Sequence, residues 1–355
     1  MRDMGIIGNM PGYFEYVETT RPYDGYWHSV RNVVTIVLLG SLCGLRNLPM
    51  IREWAAGERV TEYLQKMGIP RVPSYSHMMV VLGLIEPVSL GLAMESWIVK
   101  VVSAVGKTIA MDGKTERSTE KMGTYESAVH IVSAHMSELG LTIGTEAVAG
   151  KSNEMCNERE RQFTCSSHQS IKPAVRELIK RLDLKDALIV ADALNCQKDT
   201  AEAIVEAGAD YLLEVKNNQP NLCDGISELF AVDERMDLIE NDKAAIELDK
   251  HGGRKEYRAA YVRHDVEKLM TGHEWPGLAC MGAINRQVEA NNVTSDEWHY
   301  YISSREMGPE ELLRHARLEW GVESMHWLLD VHFWEDKMRL YNENSVKNLN
   351  IIHNV

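Results

Sequence analysis

Apolar positions in the first hundred residues recur at helical spacing, so this part of the chain is predicted to be helical. Trp27–Leu45 predicts one buried helix, and Leu48–Trp54 and Val60–Met67 predict two shorter ones. Pro70–Ser74 indicates a linker that ends in a serine suited to cap the next helix, after which the helical pattern resumes. These helices define a predicted N-terminal region over residues 1–104.

After residue 104 the pattern changes to short apolar runs that are typical of strands. The predicted strands are Thr108–Met111, Val129–Ala134, Leu141–Val148, Ala187–Ala191 and Tyr211–Val215. Helical patterns at 171–182 and 198–207 separate the later runs. Three strands followed by alternating helix and strand predict a mixed α/β sheet over residues 105–222.

The following segment, 223–304, has polar spacers between strand-like runs. These runs are Tyr257–Val262, Leu278–Ile284 and Trp298–Ile302, and they predict a mainly β insertion. A helical pattern then opens at Pro309 and belongs to a last segment, 305–355. The predicted fold is therefore α/β, with a mixed-sheet core that is interrupted by a β-rich insertion.

Composition and charge limit the classes of protein that this chain can belong to. Its 355 residues are 45% apolar and 25% charged, which is typical of a globular protein with a real core. The longest apolar stretch, Val33–Leu45, is shorter than the about 20 residues of a membrane span, so we expect no membrane segment. Six scattered cysteines without a C-x-x-C pair predict reduced thiols and a cytoplasmic location.

The formal net charge of −14 argues against a broadly basic protein surface. Proteins that bind DNA usually neutralise phosphates with lysine and arginine. If this chain binds DNA, it needs local basic patches, or metal ions that offset a cluster of carboxylates.

Two predicted strands each end in an aspartate that is followed by a small residue. Asp112 follows Ile-Ala-Met, and Asp192 follows Val-Ala. Open α/β sheets place their sites at the carboxyl ends of strands, where a half-buried carboxylate needs a cation or hydrogen bonds. The alternative is that each aspartate caps a turn, and this alternative loses weight when two such strands can be neighbours.

A third carboxylate stands out by helical spacing. Ala316, Trp320, Glu323 and Trp327 fall on one face of a predicted helix, where a glutamate between tryptophans needs a partner. The alternative is that Gly321 breaks the helix and that the glutamate faces solvent. Three nearby residues compete for the same role: Asp330, Glu335 and Asp336.

Carboxylate oxygens from separate elements are ligands that suit Mg²⁺ or Mn²⁺ better than zinc. Two such ions can assist an in-line phosphoryl displacement. Four polar residues just beyond the site strands are candidates for DNA phosphate contacts, although a solvated surface role fits each equally well: Lys114, Arg117, Lys216 and Gln219. Three tryptophans recur every seven residues, and core packing is a better interpretation than base stacking for them: Trp320, Trp327 and Trp334.

Ordered blocks along nearly the whole chain resemble DDE transposases of the ISAs type, the H-repeat-associated proteins. The run Ala110-Met-Asp112-Gly-Lys-Thr-Glu-Arg-Ser resembles the first catalytic block of that family, and Ala191-Asp192-Ala-Leu-Asn-Cys-Gln-Lys resembles the second. The run Trp320-Gly-Val-Glu323-Ser-Met-His-Trp resembles the block that carries the glutamate. Further similar blocks lie at 130–134, 151–154, 211–220 and 298–304.

The resemblance implies an RNase H-like core in which Asp112, Asp192 and Glu323 form the metal-binding and catalytic triad. It implies two Mg²⁺ or Mn²⁺ ions, and cut-and-paste cleavage and joining of double-stranded DNA at the terminal inverted repeats of its own element and at target DNA. We also expect a homodimer when active, a bacterial cytoplasmic location at the nucleoid when DNA is bound, and DNA recognition by the N-terminal helices. Arg254, in a block similar to a His-Gly-Arg block of the family, is a further DNA-contact candidate.

The chain departs from the family pattern next to the expected glutamate. Glu319 stands where His or Arg is expected, and Ser324 replaces an expected Asn. The family usually continues into a basic tail beyond the position of Val355, so we expect a C-terminally truncated last segment. These departures leave two alternatives open: a catalytically impaired, DNA-binding remnant, and a metal-dependent nuclease that cuts without joining.

Overall fold

The computed structural model describes residues 9–25, 27–116, 129–148, 168–231, 236, 238–239, 244–251, 254–269, 275–290, 293–333 and 342–354. Among these residues, no helix is both long and apolar enough to cross a membrane.

Five helices precede the sheet and form a layer of their own. They are α1 (Val30–Leu42), α2 (Leu48–Ala55), α3 (Glu58–Lys66), α4 (Tyr75–Leu84) and α5 (Pro87–Val101). Ser29, Asn47, Ser74 and Glu86 each accept a hydrogen bond from a first-turn backbone N–H, which fixes where α1, α2, α4 and α5 begin. The predicted helical N-terminal region is confirmed, including the cap at Ser74.

A single nine-stranded mixed sheet forms the centre of the molecule. Its strands are β1 (Thr108–Glu116), β2 (Val129–Met136), β3 (Leu141–Val148), β4 (Leu188–Ala191), β5 (Asp210–Val215), β6 (Ala244–His251), β7 (Arg254–Arg263), β8 (Cys280–Ala290) and β9 (Val293–Ser303). They lie in the order β3-β2-β1-β4-β5-β9-β8-β7-β6. Strands β1, β4 and β5 are parallel, and all other neighbouring pairs are antiparallel.

Helices cover both faces of this sheet. One face carries α6 (His168–Arg181), α7 (Lys198–Glu206) and α8 (Pro220–Leu229), and its apolar core is continuous with that of the N-terminal helices. The opposite face carries the long helix α9 (Pro309–Val331), whose Leu312, Leu313 and Ala316 pack onto β4, β5, β7 and β8. The last helix, α10 (Glu343–His353), packs against α4, α5 and α1.

The predicted α/β fold with an RNase H-like mixed sheet is confirmed by this arrangement. Among the described residues, one strand and two α-helices were not predicted: β6, α8, which crosses residue 222, and α10. Strand β6 lies at the sheet edge, and the two apolar residues that alternate in it, Ile246 and Leu248, are both 58% exposed. The β-rich segment extends the same sheet through β9, and the division of the chain into domains stays a prediction.

Candidate active site

Asp112 and Asp192 lie side by side where the ladder between the parallel neighbours β1 and β4 ends. Met111 is paired with Ala191, and each aspartate is the next residue along the chain. Asp192 follows the last residue of β4, as predicted, whereas β1 continues to Glu116 and pairs Asp112 with Ser133 of β2, so the prediction that Asp112 ends its strand is wrong. Alternation along β1 places Asp112 on the same face as Ala110, which is the face that α9 covers. The structure therefore brings the two predicted aspartates together at one end of the sheet.

Both aspartates open into a pocket between the sheet and α9, which we call the acidic pocket. Strands β5, β7, β8 and β9 also contribute to its walls. Its lining comprises Ala110, Met111, Asp112, Asp192, Glu214, Lys216, Glu256, Arg258, Arg286, His299, Glu319, Trp320 and Val322. Five carboxyl groups and four basic side chains thus line one concave space.

Asp192 is held at the start of a short 3-10 turn. Its carboxylate accepts hydrogen bonds from the backbone N–H and the side-chain Nδ2 of Asn195, at 3.3 and 3.0 Å. Burial and the negative charge of Asp112 nevertheless raise the pKa of Asp192. The alternative that Asp192 caps a turn is therefore correct. The same side chain also lines the acidic pocket, where the charge of Asp112 still repels it.

Glu214, on β5, is a buried carboxylate that sequence reasoning missed. Burial alone would raise its pKa, but hydrogen bonds from His299 Nδ1 at 2.7 Å and from Lys216 Nζ at 2.8 Å lower it overall. A glutamate inside the otherwise apolar run Tyr-Leu-Leu-Glu-Val was the signal that could have identified it. Glu214 is therefore an ionised group whose charge the protein itself compensates.

Glu319, on α9, contrasts with Glu214. Burial, followed by the charges of Glu214, Asp192 and Asp112, raises the pKa of Glu319 to about 8. The position that differs from the expected His or Arg thus adds a fifth carboxyl group to the acidic pocket. At neutral pH this group is mostly protonated.

Helix α9 also carries Glu323, one turn beyond Glu319. The helix continues through Gly321, so the alternative in which this glycine breaks it is wrong. The side chain of Glu323 lies outside the described part of the structure, and its role as third ligand stays a prediction. The three residues that compete for this role are not supported as ligands either. Asp330 is half-buried and has an interaction partner, and Glu335 and Asp336 lie outside the described residues.

The tryptophans of the predicted stripe lie in different surroundings. Trp320 lines the acidic pocket, whereas Trp327 is 62% exposed. The core-packing interpretation is therefore wrong for Trp327, while Trp334 lies outside the described residues. Trp320 has its ring centroid 5.8 Å from the guanidinium carbon of Arg258, 5.5 Å from that of Arg286 and 5.6 Å from the ring of His299.

The predicted phosphate contacts occupy different environments. Lys216 borders the acidic pocket and pairs with Glu214. Gln219 donates from Nε2 to the backbone oxygen of Cys196 at 3.1 Å, and Arg254 pairs with Glu256 at 3.2 Å. Lys114 lies in β1, but its side chain, like the whole of Arg117, falls outside the described residues.

The donor chemistry of the acidic pocket fits a hard divalent cation, because Asp112 and Asp192 supply carboxylate oxygens whose mutual repulsion a cation would relieve. In the described ranges, no three His, Cys, Asp or Glu side chains are grouped so that they could hold a metal ion. The side chain of Glu323 lies outside those ranges, and its assignment as the third ligand stays a prediction.

Comparison with known proteins identifies the class to which this fold and this site belong. Residues 162–355 match the model of the transposase DDE domain, which spans Asp192 and all of α9. The chain belongs to the DDE transposase family, whose members generally use divalent metal ions.

Individual relatives agree with this assignment. The chain is 35% identical over 247 residues to the putative transposase YncI of Escherichia coli O157:H7, a match that covers 68% of this chain and 58% of that relative. It is 29% identical over 345 residues to the H repeat-associated putative transposase YhhI of Escherichia coli K12, covering 94% and 86% respectively. The predicted resemblance to H-repeat-associated transposases is therefore confirmed.

Proposed function

We propose that the protein is an insertion-sequence transposase that cleaves and joins DNA strands by phosphoryl transfer, with Asp112, Asp192 and Glu323 as metal ligands. The observation that carries the proposal is that Asp112 and Asp192, each directly after the paired residues Met111 and Ala191 of the parallel strands β1 and β4, line one pocket beside α9. Membership of the DDE transposase family supports the same reaction class.

Each part of the pocket has a role in this proposal. Two Mg²⁺ or Mn²⁺ ions, when bound, would activate a water or a 3′-hydroxyl and stabilise the leaving oxygen. Asn195 orients the Asp192 carboxylate, and Glu214 holds Lys216 at the border of the pocket, where its exposed ammonium can meet a DNA phosphate. All three candidates have protein partners, and Lys216 is the strongest because it alone of the three lines the acidic pocket.

The substrate in this proposal is double-stranded DNA at the terminal inverted repeats of the element, followed by target DNA. The N-terminal helices are proposed to recognise the repeats, and a homodimer is proposed to hold two ends together, at the nucleoid of a bacterial cytoplasm. The names of the matched relatives and the DDE domain support this assignment.

The direct test uses the purified chain with labelled DNA that carries the ends of its element, in Mg²⁺ or Mn²⁺. We expect nicking at the element end and joining to a target plasmid, both lost in Asp112→Asn. Cleavage without joining would indicate the simple nuclease instead. Absence of metal-dependent cleavage, together with identical behaviour of Asp112→Asn, would contradict the proposed function.

A second candidate function, a DNA-binding remnant without activity, has one specific observation in its favour. Glu319 adds a carboxyl group to the pocket, and burial together with the charges of the neighbouring carboxylates raises its pKa to about 8, although Lys216 opposes this shift. If the natural chain binds the element ends but does not cut them, while Glu319→His cuts them in Mg²⁺, the remnant is the correct function.

A further inference from the structure

We propose that His315 is a positioning residue: through Thr108 it fixes helix α9 against strand β1, so that the carboxylates of the strands and those of the helix keep their mutual spacing. The inference rests on the proposed function, because it concerns the same site. It adds a residue that lies outside the acidic pocket.

A chain of buried hydrogen bonds joins the two elements. His315 Nδ1 lies 2.9 Å from Thr108 Oγ1, and both residues are buried. Thr108 Oγ1 in turn lies 2.7 Å from Glu138 Oε1, and the backbone N–H of Thr108 donates to the same carboxylate at 2.9 and 3.1 Å. The start of β1, the turn after β2 and α9 are therefore tied at one point.

The donor and the acceptor of each hydrogen bond in this network follow from the charged residues at its two ends, Arg314 and Glu138. Arg314 Nη2 lies 3.0 Å from His315 Nε2, and a guanidinium only donates, so Nε2 is the acceptor. Nδ1 then carries the hydrogen and donates to Thr108, whose hydroxyl is left to donate to the Glu138 carboxylate. Burial and the neighbouring charge of Arg314 lower the pKa of His315 to about 4, which agrees with a neutral ring.

The position of this tie relative to the carboxylates gives it a role in the site. Thr108 precedes Asp112 by four residues, about 13 Å along the strand. His315 precedes Glu319 by one helical turn and Glu323 by two, about 6 and 12 Å along the axis. The same point therefore sets how far the helix-borne carboxylates stand from Asp112.

The other buried contacts of α9 near this point are apolar and less directional, and the ion pairs of Arg317 with Glu247 at 2.8 Å and Asp249 at 3.3 Å on β6 are exposed to solvent. Leu312, Leu313 and Ala316 pack on the sheet, and Leu312 fills the space over Gly282 that any Cβ there would occupy. Apolar packing tolerates small slides and rotations, whereas a buried hydrogen bond between His315 and Thr108 specifies one registration. Loss of this bond would loosen the helix position without unfolding the sheet.

The test measures Mn²⁺ binding by isothermal titration calorimetry on the full chain, alongside cleavage kinetics. We expect His315→Leu and Thr108→Val each to weaken Mn²⁺ binding by up to about 10-fold, the lower limit for residues that hydrogen-bond a metal ligand directly, because these two act on the ligands only through the position of α9. Both should lower kcat with little change in KM, and the double variant should be no worse than the worse single one. His315→Asn, which can place an amide donor near the Nδ1 position, should recover most of the affinity.

Leu313→Ala is the matched control, because it removes apolar contacts of the same helix without touching the hydrogen bonds. It should lower Tm and leave Mn²⁺ affinity unchanged within about 2-fold. If His315→Leu and Thr108→Val lower Tm but bind Mn²⁺ like the natural chain, His315 is merely structural and the inference is wrong.

Two further outcomes keep the inference separate from the proposed function. If His315→Leu does not fold, Thr108→Val, a change of one hydroxyl to a methyl, decides the question alone. If Asp112→Asn also leaves Mn²⁺ affinity unchanged, the proposed function is wrong, whatever the His315 variants show.

Discussion

Carboxylates on the two halves of the sheet have opposite electrostatic environments. In the half formed by β6 to β9, arginines lower the pKa of Asp249 and Asp265, and the pKa of Glu256 falls despite its burial. In the half formed by β1 to β5, burial and neighbouring carboxylates raise the pKa of Asp192, and they do the same for Glu319 on the covering helix.

This difference separates structural carboxylates from candidate functional ones. Where a carboxylate has an arginine built in beside it, as Glu256 has in Arg258 and Arg286, the protein already supplies the cation. Where two carboxylates repel each other without a built-in cation, as Asp112 and Asp192 do, a bound external cation stabilises the site most. Glu214, on the last strand of the core half, follows the first pattern through Lys216 and His299.

The largest expected effect comes from neutralising Asp112 or Asp192. Asp112→Asn or Asp192→Asn should lower metal-dependent cleavage by about 10³-fold or more, because each removes a charge that holds the cation at the reacting phosphate. Thermal stability without metal should stay the same or rise, since repulsion in the pocket is reduced.

The matched control for these variants is Asp249→Asn, in the compensated half of the sheet. It should change the cleavage rate less than about 3-fold, because small surface electrostatic changes have small effects. Equal losses in all three variants would mean that the contrast between the two halves has no bearing on catalysis.

Removing a built-in cation should damage stability. Arg258→Met leaves Glu256 buried beside one arginine fewer, and we expect the free energy of unfolding to fall by about 3 kcal/mol. Lys255→Met removes an exposed ion pair with Glu289 and should cost about 0–1 kcal/mol. Urea denaturation of both variants measures the difference, and similar losses would contradict the assignment of Arg258 as the compensating group.

Glu319 offers a test by pH in the presence of EDTA. Its folded pKa of about 8 lies above the unfolded value near 4.5, so the unfolded chain loses this proton first as pH rises. The natural chain should therefore lose stability relative to Glu319→Gln between about pH 4.5 and 8, with a constant difference at higher pH. A constant difference across the whole range would show that Glu319 titrates normally.

The smallest expected effect concerns DNA binding by Lys216. Lys216→Met should weaken binding of the element ends several-fold and reduce the dependence of log Kd on log salt by about one unit. Fluorescence anisotropy at several salt concentrations measures both quantities. If log Kd depends on log salt equally in the variant and the natural chain, Lys216 does not contact DNA phosphate and only pairs with Glu214.

Sequence patterns predicted most of the fold because its core elements have clear periodicity. The apolar runs before Asp112 and Asp192 belong to buried strands, and the aspartate that follows each run indicated both carboxylates, although β1 continues past Asp112 to Glu116. Strand β6 was missed because only two apolar residues alternate in it, Ile246 and Leu248, and both are exposed at the sheet edge. The pocket walls from Arg258, Arg286 and His299 escaped for another reason: they depend on pairing between β5 and β9, which joins residues about ninety positions apart.

The ladder between β5 and β9 has a consequence for how the molecule can change over evolutionary time. Val215 pairs with Tyr300, so the chain leaves the core and returns to it at adjacent points about 5 Å apart. A segment whose two ends are adjacent can be lengthened, shortened or exchanged without changing the order of the strands on either side. The stretch between these two residues can therefore vary in length between related chains only where β7 and β8 keep the surface on which α9 packs.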